Sequence, residues 1–413
     1  MDDFSCDRLL AGVRVEPRDY QSRVVSRVIE MFSGPHIDRN TELPEARSVI
    51  VESPTGSGKT VMGLLVARWA QEQGMRVVWT AMRRNLLAQA SRENLDRGFG
   101  VNLQTVSMFD KNPPQGDLLI VDEAQHDATT SMASLHAAVD PVKVLGLSAT
   151  PWRADRLGLC FERSVRDAGI RQLVLEGYLS PFAHYTIPVW NPASVAATWL
   201  REPARWGRSL MFFRTLAECR ACAAVLAAGG EACEIVTATS DRDAQVERFE
   251  RGDVRVMIGA AVLTEGFDCP TLQTVFCRPA GKGPTVQMAG RVLRRAEGIA
   301  VKNIVQCSQT RHPFTATAPP STQFVRVEEG WRSVGLNDRV EEMTSSMLDL
   351  LVRLSRADRG SSDRRRRGLG GERGVIRGPR TVKPWNYKLE EARDRFRRNK
   401  AHADTSPNPT DAG

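Results

Sequence analysis

The sequence predicts an α/β protein in which two parallel-sheet domains follow one another and a basic C-terminal extension ends the chain. Three observations support this fold class. Apolar runs of strand length alternate with amphipathic runs of helix length, between Ser48 and Ala149 and again between Ser209 and Cys307. A glycine-rich loop stands between the first strand and the first helix of the earlier series. Hydrophobic residues make up 41% of the 413 residues, as in globular proteins.

The first series alternates strands with helices, which is typical of a parallel sheet covered on both faces. Its expected elements, in chain order, are a helix over Tyr20–Phe32, a strand over Ser48–Glu52, a helix over Val61–Trp69, a strand over Arg76–Ala81, a helix over Arg83–Leu95, strands over Val101–Ser107 and Asp117–Val121, a helix over Thr129–Val139 and a strand over Lys143–Ala149.

The second series has the same character. Its expected elements are strands over Leu210–Phe213, Glu234–Thr237, Val254–Ala260, Thr274–Cys277 and Val301–Cys307, and helices over Leu216–Ala227, Asp243–Phe249 and Pro284–Arg295. The chain is therefore expected to divide into a first domain over residues 1–180, a connector over 181–208, a second domain over 209–310, an irregular segment with an amphipathic helix over 311–360, and a basic, partly disordered tail over 361–413.

Positive charge is concentrated near the C-terminus. The chain has a formal net charge of +8, and the stretch from Leu351 to Lys400 holds 17 Lys and Arg against 6 Asp and Glu. Because the remainder is nearly neutral, a polyanionic partner is expected to meet this extension first, and protein partners are a further possibility there. Trp385 and Tyr387 are expected either to stack on bases or to anchor the extension on the body.

Cysteine usage and hydropathy lead us to expect a cytoplasmic protein. Eight cysteines do not suggest a disulfide framework, and Cys219 and Cys222 fall in a helical pattern, where buried thiols are expected rather than metal ligands. No apolar run reaches the ~18 residues that a membrane span needs. The start at Met1 lacks the basic and apolar regions of a secretory signal.

The stretch from Ser53 to Thr60, which reads SPTGSGKT, predicts a phosphate-binding loop. Gly56 and Gly58 let backbone amides turn inward toward an anion, and the helix that begins there adds its positive end. The pattern departs from the usual one at Ser53, where a glycine is common. Lys59 is expected to reach the β- and γ-phosphates, and Thr60 to ligate Mg²⁺. The predicted phosphate-contacting residues are Pro54, Thr55, Gly56, Ser57, Gly58, Lys59 and Thr60.

Two adjacent acids follow the apolar strand that ends at Val121. Ligands of parallel sheets bind at the carboxyl ends of the strands, where the phosphate loop also lies. Asp122 is therefore expected to hold Mg²⁺ and Glu123 to polarise the attacking water. The alternative is a pair of acids that merely begins a surface loop.

From Pro17 to Cys307 the order of these motifs resembles the superfamily-2 helicases and translocases, in particular the DEAD/DEAH-box-like branch with restriction-subunit-type and phage-type members. The resemblance implies two RecA-like domains with an ATP site in the cleft between them, ATP and Mg²⁺ as ligands, and nucleic acid as partner. It also implies that Gln21, in the stretch Arg18 to Gln21, reads the edge of adenine.

The same resemblance assigns roles to further residues of the first domain and of the second. Ser148 and Thr150 are implied to couple hydrolysis to nucleic-acid binding. In the second domain Thr264 is implied to contact nucleic acid, and Gly266 and Asp268 to contact the nucleotide.

Gln287, Arg291 and Arg294 match an arginine-finger motif, and on a helix they would share one face pointing at the γ-phosphate. The alternative for the two arginines is a solvated cationic helix face. Gln125 stands where many relatives have His, which leaves its coupling contacts open. Leu293, where many relatives have Gly, favours the restriction-like branch and DNA.

The first domain is expected to contact nucleic acid through residues at the start of a helix that directly follows a strand. The candidates are Arg83, Arg84, Asn85 and Gln89, although a plain charged helix face would give the same pattern. The favoured hypothesis is an ATP-dependent helicase or translocase acting on DNA. The alternatives are the motor subunit of a restriction or defence complex, an ATP-gated clamp that does not unwind, and an RNA helicase.

Overall fold

The computed structural model describes residues 6–38, 40–126, 130–151, 161–237, 239–260, 269–328 and 330–334. The expected amphipathic helix over Leu336–Arg356 and the basic tail lie outside these residues, as do Thr264, Gly266 and Asp268. Two sheets organise the described part of the chain. We call the part up to Pro181 the first lobe and the part from Phe182 to Val334 the second lobe.

The first lobe is a six-stranded parallel sheet with helices packed on it. Its elements are α1 (Cys6–Leu9), α2 (Asp19–Ser33), a hairpin of β1 (His36–Asp38) and β2 (Thr41–Leu43), β3 (Ser48–Glu52), α3 (Lys59–Glu72), β4 (Val77–Ala81), α4 (Arg84–Asp96), β5 (Leu103–Ser107), β6 (Leu118–Asp122), α5 (Thr130–Val139), β7 (Lys143–Ser148), β8 (Arg163–Val165) and α6 (Ile170–Leu175). The strand order is β5-β4-β6-β7-β3-β8.

This order follows from the sequence pattern. Central strands such as β4, β6 and β7 are buried along their whole length, because helices cover both faces of the sheet. Gly63 lets α3 approach closely, since a Cβ there would lie 2.6 Å from the Trp79 ring of β4. The helix that carries the phosphate loop is thereby pressed against the centre of the sheet.

The second lobe is an eight-stranded sheet in the order β11-β12-β10-β13-β14-β9-β15-β16. Its elements are β9 (Phe182–Ile187), α7 (Pro192–Arg201), α8 (Pro203–Trp206), β10 (Ser209–Phe213), α9 (Leu216–Ala228), β11 (Cys233–Val236), α10 (Arg242–Arg251), β12 (Val256–Ala260), β13 (Thr274–Phe276), α11 (Lys282–Gly290), β14 (Lys302–Cys307), β15 (Thr322–Val327) and β16 (Gly330–Ser333). All neighbouring strands are parallel except β15 and β16.

The expected connector over 181–208 is an integral part of the second lobe, which corrects that boundary. Phe182–Ile187 forms β9 and pairs with β14 along its whole length. The two helices that follow pack onto the sheet, and Trp199 and Trp206 are fully buried in its core. These two tryptophans of the expected connector are therefore core residues of the second lobe.

The segment after residue 310 is also more regular than expected. Two strands, β15 and β16, extend the sheet beyond β9. Tyr185 of β9 stacks on Phe324 of β15 with ring centroids 4.7 Å apart, and Trp331 of β16 meets the same tyrosine edge-on. An aromatic cluster thus fixes this edge of the second lobe.

Cys219 and Cys222 are fully buried on α9. Burial raises the pKa of the Cys219 thiol to about 11 and that of Cys222 to about 12. Within the described residues no cluster of His, Cys, Asp and Glu could hold a metal ion, and no helix has the length and hydropathy to cross a membrane.

Candidate nucleotide-binding cleft

Three neighbouring strands bring the predicted motifs of the first lobe to one edge of its sheet. β7 lies between β6, which ends at Asp122, and β3, which leads into the phosphate loop. Ser148 pairs with Glu52, and Leu147 pairs with Asp122. Because the strands are parallel, their carboxyl ends place the loop, Ser148 and the acids side by side.

The phosphate loop has the backbone that its glycines predicted. Gly56 and Gly58 adopt φ values of 82° and 77°, in the region that L side chains rarely occupy. Ser53 occupies the first position of the loop, where a glycine is common. Its Oγ donates a hydrogen bond to Ser57 Oγ at 2.6 Å, which closes the loop. Both hydroxyls are buried, and the N–H of Ser53 donates to Ser148 O at 3.0 Å. A serine in the first position therefore braces the loop.

Lys59 and the two acids face one another in a poorly solvated space. Burial lowers the pKa of Lys59, while Glu123 and Asp122 act in the opposite direction. Burial, and after it the neighbouring Glu123, raises the pKa of Asp122 to about 7. Glu123 adopts a φ of 53°, and its N–H donates to Asp122 Oδ1 at 2.9 Å. The left-handed backbone turns the second acid back toward the first.

The donor set fits a Mg²⁺ ion bound together with phosphates. Thr60 and Asp122 line the same cavity and offer a hydroxyl and a carboxylate, which are the hard oxygen donors that Mg²⁺ prefers. Two crowded carboxylates in a buried site also favour a cation, since burial, and after it the repulsion from Glu123, raises the pKa of Asp122 and a bound cation would offset both.

The second lobe contributes two arginines to this space. Arg291 and Arg294 line a cavity of about 410 Å³ together with Lys59, Asp122 and Glu123. Burial lowers the pKa of Arg294 to about 10, against the attraction of Glu93. The lobes touch here, because a Cβ on Gly290 would lie 3.0 Å from Thr55 Cβ. The cleft is thus lined from both lobes.

The arginines do not lie on the predicted helix over Pro284–Arg295, since α11 ends at Gly290. After the end of α11 the backbone hydrogen bonds join residues three apart in sequence, instead of the four that are usual in an α-helix. The N–H groups of Arg291, Val292 and Leu293 each donate to the carbonyl three residues back. The tighter turns separate Arg294 from the face of Gln287. Gln287 does not line the cavity and instead approaches Thr150, with Nε2 3.3 Å from Oγ1.

Gln21 lines the cavity, where it makes two hydrogen bonds to the protein and retains a donor and an acceptor for a ligand. Its Oε1 accepts from Arg18 N at 2.9 Å, and its Nε2 donates to Ser57 O at 2.7 Å. A primary amide has a second N–H and a second lone pair, so both edges can still pair with a base. Arg18 and Tyr178 also line the cavity, with the guanidinium 4.9 Å from the ring centroid.

A chain of hydrogen bonds, made by side chains and by the backbone N–H of Thr150, runs from Glu123 through Gln125 to the second lobe. Its Nε2 donates to Glu123 Oε2 at 2.9 Å, and its Oε1 accepts from Ser148 Oγ at 2.6 Å. Ser148 Oγ also accepts from Thr150 N at 3.0 Å. Thr150 then meets Gln287 of the second lobe. Gln125 therefore makes the contacts that the sequence left open for it.

One face of α4 forms a wall of the cavity that the sequence did not predict. Leu86, Gln89, Glu93 and Arg97 recur at helical spacing and all line it. Gln89 Nε2 donates to Glu93 Oε1 at 3.2 Å, and Glu93 pairs with Arg97 at 3.4 Å. This placement puts Gln89 in the cavity lining, about 140° around the helix from Arg84, and its contact with nucleic acid stays a prediction. The helical spacing of these four residues is visible in the sequence. The sequence does not show that this face of α4 lies against the cleft.

The other predicted grip residues remain at the edge of the sheet. Arg83 precedes α4 as its N-cap, and Arg84 is exposed in the first turn. Neither lines the nucleotide cavity. Pro54 and Ser57 also stay outside its lining, although Ser57 shapes the loop.

Comparisons with known proteins agree with this arrangement. The family model "Type III restriction enzyme, res subunit" matches residues 14–114, and "Helicase conserved C-terminal domain" matches residues 194–296. A "51.5 kDa protein" of a Lactococcus phage (isolate 7-9) is 23% identical over 268 residues, which are 56% of this chain and 59% of that protein. The chain thus spans about three fifths of that relative's length.

Solved structures share the fold. The ATP-dependent Type ISP restriction-modification enzyme LlaBIII bound to DNA is 16% identical, with 73% of this chain and 28% of that chain covered and a TM-score of 0.52. S. cerevisiae Dbp5 bound to RNA and ADP BeF3 is 18% identical, with 70% and 83% covered and a TM-score of 0.51. The predicted fold class, two tandem RecA-like domains, is confirmed.

Proposed function

The chain belongs to the superfamily-2 helicases, in the branch of restriction-enzyme subunits, and on that premise we propose that its ATP hydrolysis drives movement along nucleic acid, with DNA as the favoured track. The observation that carries the proposal is the cleft, where the phosphate loop and acids of one lobe face two arginines of the other.

The first lobe binds the phosphates of ATP and activates the attacking water. Backbone amides point at the phosphates from the loop around Gly56 and Gly58 and from the start of α3. Lys59 balances the negative charge of the β- and γ-phosphates. Thr60 and Asp122 would hold Mg²⁺, which supplies charge neutralisation at the phosphates when bound. Glu123 orients the attacking water as its general base, since Gln125 holds its carboxylate in place.

The second lobe completes the site. Arg291 and Arg294 place two guanidinium groups in the cavity, where charge builds up on the transferred phosphoryl group. Gln21 presents its remaining donor and acceptor to the adenine edge, which favours ATP over other nucleotides.

The hydrogen-bonded chain from Glu123 through Gln125, Ser148 and Thr150 to Gln287 links the state of the acids to the position of the second lobe. We infer that nucleotide draws the lobes together and that hydrolysis releases them, so that two grips on one strand shift relative to each other. Arg83 and Arg84 are the proposed grip of the first lobe, and Thr264 that of the second.

A steady-state ATPase assay of the full chain tests this function. Single-stranded DNA, duplex DNA and RNA are added separately, and we expect stimulation, with DNA the most effective. Arg291→Ala should bind ATP yet lose turnover by roughly 10³- to 10⁵-fold. Arg220→Ala, an exposed arginine on α9, is the matched control and should retain turnover.

Absence of stimulation by every nucleic acid would overturn the motor function. Stimulation without strand separation would favour a translocase or an ATP-gated clamp over a helicase. A second candidate, the motor subunit of a restriction or defence complex, is favoured by the family match over residues 14–114. That candidate requires a nuclease or specificity partner, which co-purification from the native host would identify.

A further inference from the structure

One wall of the nucleotide cavity is held by a buried lysine that does not itself line the cavity. β14 begins at Lys302, whose side chain is fully buried. Its Nζ donates to Pro270 O at 2.7 Å and to Leu272 O at 2.6 Å. Pro270 lines the cavity together with Arg291 and Arg294 of the second lobe, whereas Lys302 does not. The lysine therefore reaches the cavity only through the backbone of a lining residue.

The Lys302 ammonium has no carboxylate partner among the residues that the structure describes. Burial lowers the pKa of Lys302 to about 8, and the neighbouring Cys269 acts in the opposite direction. A buried charge without an opposite charge costs free energy unless polar atoms replace water around it. The carbonyls of Pro270 and Leu272 do so, and hydrogen bonds from a charged donor are about twice as strong as neutral ones. The contact between the lysine and these carbonyls is therefore a strong one.

The two carbonyls belong to a turn over residues 269–272 that leads into β13. Within this turn the N–H of Leu272 donates to Cys269 O at 3.1 Å. Pro270 has no N–H, so its carbonyl is the one backbone group through which a hydrogen bond can hold it. Lys302 binds that carbonyl. The lining residue of the turn is therefore tethered by the lysine and not by its own amide.

A second buried lysine, Lys143 at the start of β7, makes a similar contact outside the cavity lining. Its side chain is 6% exposed, and its Nζ donates to Phe32 O at 2.6 Å. Lys143 also pairs with Glu45, so its charge is balanced by a carboxylate. None of these three residues lines the cavity. Lys143 thus offers a control in which a buried lysine is lost without a change in the cavity wall.

We propose that Lys302 is a positioning residue of the ATP site, which holds Pro270 at the cavity wall and thereby sets how tightly ATP is bound. This inference rests on the proposed function and deepens it, because it assigns a determinant of ATP affinity that does not touch the ligand. Neither residue brings a charge to the transferred phosphoryl group. Loss of the tether should therefore weaken ATP binding in the ground state and in the transition state alike, which raises KM and leaves kcat unchanged.

The test is steady-state ATPase activity of the full chain over a range of ATP concentrations without nucleic acid, together with titration of a fluorescent ATP analogue. Lys302→Met removes the ammonium and keeps a long apolar side chain. It should raise the KM for ATP and the Kd of the analogue by roughly 5- to 50-fold, with kcat changed by less than about threefold.

Pro270→Ala tests whether the lysine acts through the cavity wall. This substitution should also raise the KM for ATP. When Pro270→Ala is already present, Lys302→Met should raise the KM by much less than it does in the wild type, because two residues that act through one contact are not additive. Fully additive effects would overturn the proposed route from Lys302 to the ligand.

Lys143→Met is the matched control. It should lower the urea concentration at half-unfolding, as Lys302→Met does, but leave the KM for ATP unchanged. An unchanged KM in Lys302→Met, or an equal rise in Lys143→Met, would overturn the positioning role. If Lys302→Met does not fold, Lys302→Gln decides, since its amide is shorter and uncharged, and a wild-type KM in that variant would overturn the role. If the wild type hydrolyses no ATP, the proposed function itself fails, and the titration with the analogue then decides the role of Lys302.

Discussion

Gln125 lies where the acids, the central strand end and the second lobe meet. Its amide is oriented by two partners of opposite kind, a carboxylate that accepts and a hydroxyl that donates. A histidine in that position can also donate to one partner and accept from the other, depending on its tautomer. The glutamine therefore preserves a donor-and-acceptor bridge with a different side chain.

Gln125→Ala should remove this bridge and uncouple hydrolysis from nucleic acid. A hydrogen bond to a charged group is worth about 1.5–3 kcal/mol, so we expect a loss of stimulated turnover of roughly tenfold or more with the KM for ATP little changed. Gln125→His should retain most of the stimulation. Gln172→Ala, an exposed glutamine on α6, is the control. Equal stimulation of Gln125→Ala and wild type would contradict the coupling role.

Glu93 adds a negative charge to a cavity that is to bind a triphosphate. It also attracts Arg294, whose pKa it helps to sustain against burial. Glu93→Gln should therefore lower the KM for ATP, by a few-fold on the scale of a partly screened charge pair. Glu247→Gln on α10, an exposed acid that does not line the cavity, should leave the KM unchanged. A raised KM in Glu93→Gln would show that the carboxylate positions the ligand instead.

At the scale of elements, most helices and strands lie within one or two residues of their predicted ends, because the apolar periodicity is strong in both lobes. β9 was missed because its partner β14 is distant in sequence, and no local pattern predicts such pairing. The end of α11 was missed because tertiary contact decides it, with Gly290 pressed against Thr55. For the site, the loop, acids and arginines could be predicted from motifs, whereas the wall of α4 depends on how the helix is rotated.

The pairing of β9 with β14 places a titratable group in the core. His184 Nε2 lies 3.0 Å from Gln306 Oε1, and burial lowers the pKa of His184 despite this partner. Below about pH 6.5 the unfolded chain takes up a proton that the folded chain resists. The free energy of unfolding should then fall with falling pH, by up to about 1.4 kcal/mol per pH unit from this group.

Urea unfolding of the wild type and of His184→Gln at about pH 7.5 and about pH 5.5 measures this effect. The variant lacks the titration, so its stability should depend less steeply on pH than that of the wild type. Gln306 Oε1 keeps the N–H of Phe314 as a donor at 2.7 Å, so the substitution does not strip it of partners. Identical pH dependence in both proteins would exclude His184 as the source.

At the scale of the whole molecule, the most basic segment of the sequence is separate from the segments that form the nucleotide cleft. The cleft, the coupling chain and the proposed grip lie within residues 14–334, whereas the strongest concentration of Arg and Lys lies beyond Leu351. Electrostatic attraction to phosphates needs no defined geometry, while hydrolysis does. We therefore expect the extension to govern how tightly nucleic acid is held and the two lobes to govern what hydrolysis does with it.

Deletion of residues 361–413 tests this division. Each Lys or Arg that neutralises a phosphate adds about 0.7–0.9 to the slope of log affinity against log salt concentration, so the truncated chain should bind nucleic acid more weakly with a slope reduced by several units. ATP hydrolysis without nucleic acid should be unchanged, and saturating DNA should still stimulate it. Replacing Arg364 to Arg367 by glutamine gives a milder version in the full-length chain and should lower the slope in proportion. An unaltered slope in both would place the electrostatic contacts on the lobes, and loss of unstimulated hydrolysis would show that the extension supports the cleft.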